Sequence, residues 1–524
     1  MKLRFPRAFF IFAFSVALAP LFLHSCSSHT TSVSADENSS TVNFLIENSP
    51  TNLDPRIGTD AWSQHLDDLL FSSLVARDAQ MNPTPDLAES WDTPDPLTYI
   101  FHLRHNVTFS NGAPLTADDV LFTLNSILTG PLKTPKRASF RMVDSITAPD
   151  PFTVKIHLRE PYASFLWNLS RPAIGIVPRN SSSADISRAP IGSGPFRFVS
   201  ATPDFDLLLE RNPNYFGPAP HIARVHFRIV PDATVRALEL RKGSADIELG
   251  SLTPDMVDAL RRYPHLSADD EPGTSLAYVA FNFEDPILAK RAVRQGLAYA
   301  TDRAAIVRYL LRGQARLASS LLPPAHWAFD ASLPDYNYDP ARAAALFDSA
   351  GFKPGAGGIR FHLTLKTSTD ESTRLYSEVL QQQWKQLGVA LEIRPQEFAT
   401  FYSDITHGSF QLYTQRWVGG NNDPDIFEFV FSSHKIPPDG ANRGRYRNPQ
   451  LDALLDESRQ TPDREKRKQI LFQIQQIVSI DLPYINLWYV DNVSVHRDTL
   501  LLPPLGPLGD YQFLTALQFR TPTH

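Results

Sequence analysis

The chain has 524 residues, 42% of them hydrophobic, a single cysteine, and 56 acidic against 50 basic side chains for a net charge of −6. That length and apolar content support two or three domains with sizeable cores, and a lone cysteine excludes a disulfide framework and any CxxC redox or zinc module. The acid excess argues against nucleic acid as a partner, because phosphate binding needs a basic footprint.

Lys2, Arg4 and Arg7 form a basic start, and residues 9–23 are almost wholly apolar before His24, Ser25 and Cys26. An apolar run near 15 residues is shorter than the roughly 20 that a spanning helix needs, so the segment reads as a secretory signal. Its end matches a lipoprotein signal cut before Cys26, which would be acylated. Ordinary cleavage nearby, with Cys26 incidental, is the alternative, and His24 departs from the usual lipobox. Removing the leader takes three positive charges and no negative ones, so the mature chain is the more acidic. Residues 26–41, rich in Ser, Thr, Asp and Glu, read as a tether.

The spacing predicts a first strand over 41–47. Residues 97–103, 152–158 and 225–229 alternate with the period of half-buried strands; His102, His157 and His226 fall on their polar faces as solvated residues. Asn111-Gly112 marks a turn. Thr116, followed three residues on by Asp119, predicts a helix N-terminus ahead of apolar residues at helical spacing over 120–127. From Pro286 the pattern turns helical, with helices expected over 288–300, 303–311, 340–350, 373–387, 452–458 and 463–478. Strands over 360–367 and 390–395 alternate with them, a β-α-β rhythm that implies right-handed crossovers and a partly parallel sheet.

The chain has no G-x-S-x-G elbow, H-E-x-x-H, P-loop or G-x-G-x-x-G, so a secreted hydrolase has no motif to rest on and the chain reads as a non-enzyme. What it does have is a series of motifs in one order. Asn52-Leu53-Asp54-Pro55 follows the first strand, and Pro85-Asp86-Leu87-Ala88-Glu89-Ser90-Trp91 precedes the strand at 97–103. Phe109 to Val120, Gly192-Ser193-Gly194-Pro195-Phe196 and Leu209 to Tyr215 come next. Asp246-Ile247, Phe281-Asn282, Arg294 to Arg303 and Tyr446-Arg447-Asn448-Pro449 complete the series. Spread from about residue 44 to about 495, these resemble the extracellular solute-binding proteins of oligopeptide and dipeptide ABC importers, the family 5 solute-binding proteins.

The resemblance implies an α/β, bilobal, type II-like periplasmic-binding-protein fold that closes on its ligand. Lobe one would comprise 42–65, 188–278 and 488–524, enlarged by an inserted domain over 66–187, and lobe two 279–487. The chain would cross between lobes near Phe281 and Asn282 and near Tyr489, which are thereby candidate cleft residues. The family's binding segment falls on Trp417, Gly419, Gly420, Asn421 and Asp423, faced by Ser49 and Thr51 from lobe one. Where the peptide binders carry an aspartate for the ligand's α-ammonium, this chain has Gly420, which implies a ligand without a free ammonium there or one held by an acid from another segment. The implied partners are a peptide or peptide-like ligand, the permease and ATPase subunits of an importer, and the membrane through the lipid anchor. A monomer on the periplasmic or extracellular face, without cofactor or metal, is expected. A peptide sensor or chaperone would use the same cleft.

Overall fold

The computed structural model describes residues 40–78, 80–170, 174–419 and 423–520; the leader, Cys26 and most of the tether lie outside them. The body is built on one sheet of eleven strands. From one edge it runs Val389–Gln396, Phe361–Ser368, Leu412–Trp417, Leu266–Phe281, Tyr484–Arg497, Ile247–Leu249, Thr41–Ile46, Arg224–Ile229, Asp206–Arg211 and Phe196–Thr202, with the short Ala315–Leu317 added on Tyr484–Arg497. In lobe one, Thr41–Ile46 lies parallel to both Arg224–Ile229 and Ile247–Leu249. In lobe two, Phe361–Ser368 lies parallel to Val389–Gln396 and Leu412–Trp417. The β-α-β rhythm is therefore real, with helix Glu371–Lys385 as a crossover.

That helix illustrates how the elements form. Asp370 caps it by accepting from the Thr373 backbone N–H at 2.8 Å. Tyr376, Leu380 and Trp384 recur every fourth residue and bury one face against Phe347, Leu363 and Leu365. The Trp384 indole N–H, which would be costly to bury unpaired, donates to Thr301 Oγ1 at 3.0 Å. Helix Ala117–Leu128 starts as expected: the Asp119 carboxylate accepts from the Thr116 backbone N–H at 2.8 Å.

The inserted part carries its own four-stranded antiparallel sheet, Ala88–Asp95, Thr98–Leu103, Thr153–Leu158 and Val143–Asp150 in that order. Its core, with Tyr99, Phe101, Val154 and Ile156, is separate from the cores of the two lobes. The three polar-face histidines make local contacts. His102 pairs with Asp92 at 2.9 Å, His157 meets Thr98 Oγ1 at 3.2 Å, and His226 meets Asp206 at 3.1 Å.

Two antiparallel strands, Leu266–Phe281 and Tyr484–Arg497, belong to both lobes. Leu266–Glu271 pairs with Asn492–Arg497 on the lobe-one side, Ser275–Ala280 with Tyr484–Val490 on the lobe-two side, and the register shifts between Glu271 and Ser275. The register of the pair breaks at 272–274 opposite 490–492, several residues before Phe281 and just after Tyr489, the positions at which the crossing was expected. The reason is packing. Phe281 and Tyr489 are both in lobe-two cores, while Gly273 is the point where the two backbones come together. A Cβ there would stand 2.1 Å from the Val490 carbonyl oxygen.

Candidate functional site

Ligands of open α/β sheets collect where the carboxyl ends of parallel strands face a change in strand order, and here those ends meet at the crossing. The loops after Thr41–Ile46 and Ile247–Leu249 and the starts of helices Ala233–Lys242 and Pro254–Leu260 come from lobe one. The start of Glu371–Lys385 and the end of Leu412–Trp417 come from lobe two. Between them is a cavity of about 400 Å³ with Ala277, Trp488, Val490 and Asp491 of the crossing strands in its wall. Two of its helix starts are satisfied by their own caps, Asp232 accepting from Val235 N at 2.8 Å and Asp370 capping the other side, while Thr253 ahead of Pro254–Leu260 makes no side-chain cap.

Charge in this cavity is unevenly committed. The guanidinium of Arg236, almost fully buried, donates to the carbonyls of Val230 at 2.6 Å, Pro231 at 2.8 Å and Ser251, and faces Glu47 at 3.7 Å. Glu248 is buried beside it, and loss of water outweighs the Ser251 N–H that it accepts at 2.6 Å, so its carboxyl is pushed up to about 7. Burial likewise lifts Asp491 to about 6 against the opposing pull of Arg316.

A second cavity, about 380 Å³, lies between the inserted sheet domain and lobe two. Arg141, Tyr162 and Trp167 face Trp417, Asp423 and Phe429 across it. Trp417 stacks on Tyr278 with ring centroids 6.1 Å apart and interplanar angle 13°, and the Arg443 guanidinium stands 5.7 Å from its ring. Its indole N–H meets no acceptor among the described residues. Beside this cavity the two sides are bonded directly. Ser164 Oγ donates to Asp423 Oδ1 at 2.7 Å, Arg467 reaches Ser164 Oγ at 3.0 Å and Asp425 at 2.7 Å, and the Ala163 N–H donates to the Arg459 carbonyl at 2.9 Å. Near the crossing, Arg312 of lobe two pairs with Asp255 of lobe one at 2.6 Å. The cleft is shut.

The sequence-predicted site residues divide. Trp417 and Asp423 line the second cavity. Asp423 is half-buried there, and loss of water, with Asp425 adding to it, holds its carboxyl up at about 7. Gly419 sits at φ 70°, in the left-handed region that suits glycine. Gly420 and Asn421 fall outside the described residues. Ser49 accepts from the Asp204 N–H at 3.1 Å and Thr51 donates to Asp60. The other three are engaged within lobe two. Phe281 is core, Asn282 donates to the Phe410 carbonyl at 2.8 Å, and the Tyr489 hydroxyl donates to the Ser320 carbonyl at 2.7 Å.

Sequence reasoning missed Glu47, Arg236, Glu248 and Asp491, which line the first cavity with Arg416. One of them did leave a trace: Asp491 is a lone acid inside the apolar run 484–495, and a carboxylate in a strand buried on both faces needs a reason to be there.

Comparison with known proteins agrees with this geometry. The profile described as bacterial extracellular solute-binding proteins, family 5 Middle, matches residues 82–436. Di/tripeptide-binding protein 1 of Pseudomonas aeruginosa (strain UCBPP-PA14) is 29% identical over 498 residues, covering 89% of this chain and 92% of that protein. Heme-binding protein A of Haemophilus influenzae (strain ATCC 51907 / DSM 11121 / KW20 / Rd) is 29% identical over 428 residues, 76% and 78% of the two chains. Among solved structures, the ABC transporter substrate-binding protein CtaP of Listeria monocytogenes superposes with a TM-score of 0.82 at 26% identity, over 92% of this chain and 99% of that one. A bilobal sheet, a cleft at the strand ends and a profile match over most of the body lead to one conclusion: the chain belongs to the bacterial extracellular solute-binding proteins of family 5.

Proposed function

We propose that this protein is the extracytoplasmic, lipid-anchored substrate-binding component of an ABC importer, capturing a peptide or peptide-like ligand between its lobes and delivering it to the permease. The observation that carries the reading is the cleft bridged by hydrogen bonds and an ion pair, in which cavities of about 400 and 380 Å³ are lined by residues from both lobes. Volumes of that size suit small ligands held by a few fixed polar groups among apolar walls. The names of relatives, di/tripeptide-binding in one case and heme-binding in another, bracket the ligand class. Trp417, Gly419, Gly420, Asn421 and Asp423, the segment of Ser49 and Thr51, and Phe281, Asn282 and Tyr489 are the proposed contacts.

Native mass spectrometry of the purified chain tests the ligand class directly: a co-purified peptide-sized mass is expected, and an empty protein that binds no member of a di- and tripeptide library sinks the peptide reading. Closure has its own check. Small-angle scattering should give a smaller radius of gyration with saturating ligand than without, since hinge closure around ligand is how such folds respond.

The anchor predicts that Cys26→Ser moves the protein from the membrane fraction to the soluble extracytoplasmic fraction, because the acyl chains alone would hold it. A wild-type mature chain that starts elsewhere and carries no acyl mass overturns that part.

A further inference from the structure

The cavity at the crossing strands is lined by five acids, Glu47, Glu248, Asp370, Glu371 and Asp491, and by two arginines, Arg236 and Arg416. Most are already engaged. Asp370 caps its helix, Glu248 accepts from Ser251, and Arg236 serves backbone carbonyls. Asp491 is different. It is 4% exposed, yet neither of its carboxylate oxygens accepts a well-aligned hydrogen bond. Its one cationic neighbour, Arg316, is half-exposed at the edge, with Nε 3.2 Å away but off the line of the oxygen. A carboxylate withdrawn from water at a cost of several kcal/mol, held by one edge-on ion pair with neither oxygen aligned on a donor and with a cavity in front of it, is a seat for a cation.

We infer that Asp491 is the residue that seats a cationic group of the solute, an ammonium or a guanidinium, in the cavity at the lobe crossing. The inference rests on the reading of the cleft as a ligand site and names the charge that ligand carries. Its place on a strand shared by both lobes makes the contact available to a ligand that bridges them. The groups facing Asp491 are Arg316 from its neighbouring strand, Asp270 from the paired strand and Glu248 across the cavity. Asp270 repels it, and Arg316, with a smaller pull from the Gly273 backbone N–H, only partly offsets the burial.

The test is calorimetry on the full mature chain with two peptide pairs: free against N-acetylated trialanine, and N-acetylated Ala-Lys-Ala against its norleucine isostere. Agmatine serves as a non-peptide cation. In at least one pair the cationic member should bind on the order of tenfold to a hundredfold more tightly, the range for a hydrogen bond to a charged group. Asp491→Asn should erase that preference. Arg316→Gln, at a half-exposed position, should widen it by removing the competitor. In the wild type the preference should fade as pH falls through about 6, because protonation removes the attracting charge. Equal binding within both pairs, or a preference that survives in Asp491→Asn, overturns the assignment, as does failure of every cationic probe to bind. So does a pair of variants that lower the melting temperature without changing preference. Binding of agmatine that depends on Asp491, with no peptide bound, supports the cation seat and removes the peptide reading instead.

Discussion

Arg467→Ala should lower the unfolding free energy by about 3–5 kcal/mol, the range for stripping one partner from a buried ion pair. Arg467 is buried in lobe two and holds Asp425 at 2.7 Å and Ser164 Oγ at 3.0 Å. Ser164 belongs to the inserted domain and passes its own hydrogen to Asp423 at 2.7 Å. Removing the guanidinium leaves two carboxylates, two residues apart, with no cation in the cluster and with a serine that has lost one of its two contacts. Because the cluster spans the cleft, the variant should also close less completely, read as a larger radius of gyration at saturating ligand. A urea midpoint within error of the wild type would show that the pair is solvated and that the argument is wrong.

The same cluster has a signed pH dependence. Burial raises the folded-state carboxyl of Asp423 to about 7 from a usual 3.8, so the folded form binds more protons than the unfolded one between those values. Stability from this group is therefore present in acid and lost as pH rises from about 4 to about 7. Asp423→Asn, which keeps an acceptor for Ser164, should gain stability relative to the wild type between pH 5 and pH 8. A difference that does not change with pH would mean the carboxylate is ionised throughout.

Much of the fold was legible because the local signals agree with the tertiary structure. The alternation over 97–103 reappears as Thr98–Leu103 facing the inserted core, and the Thr116/Asp119 cap opens Ala117–Leu128. The predicted helix at 373–387 is observed at Glu371–Lys385, two residues earlier, because Asp370 and not a later residue caps it. The two long shared strands were not legible as continuous elements. Their pairing joins residues more than 200 positions apart, and nothing local distinguishes a strand that stays in one lobe from one that crosses. The site was legible only in part. Trp417 and Asp423 came from motif order, whereas Glu47, Arg236, Glu248 and Asp491 converge through the sheet from four separate segments, and of these only Asp491 stands out locally. Pro272-Gly273, a breaker pair inside an otherwise extended run, was the local signal for the crossing.

Gly273 is where that signal becomes a constraint on motion. A Cβ at this position would lie 2.1 Å from the Val490 carbonyl oxygen and 3.1 Å from Asn492 Oδ1. The first is backbone, so the clash cannot be relieved by a side-chain rotation and the strands must part. Gly273→Val should therefore cost about 1–3 kcal/mol, the range for forcing extra volume into a packed contact. The effect on ligand should be larger than that on folding. The strands shift register across this point, and a hinge placed there would have rotation of one lobe against the other pivot between 272–274 and 490–492. Wedging them apart there favours the open form, and a ligand whose competent state is depopulated binds more weakly by that fraction. The expected result is a Kd raised on the order of tenfold, one logarithmic unit for each ~1.4 kcal/mol shifted toward the open form, with a scattering curve that stays close to the ligand-free one. Gly273→Ala should do the same to a lesser degree, since it adds only the Cβ. A valine variant that closes and binds like the wild type would place the hinge elsewhere, and the register shift between Glu271 and Ser275 would then be a static irregularity of the sheet.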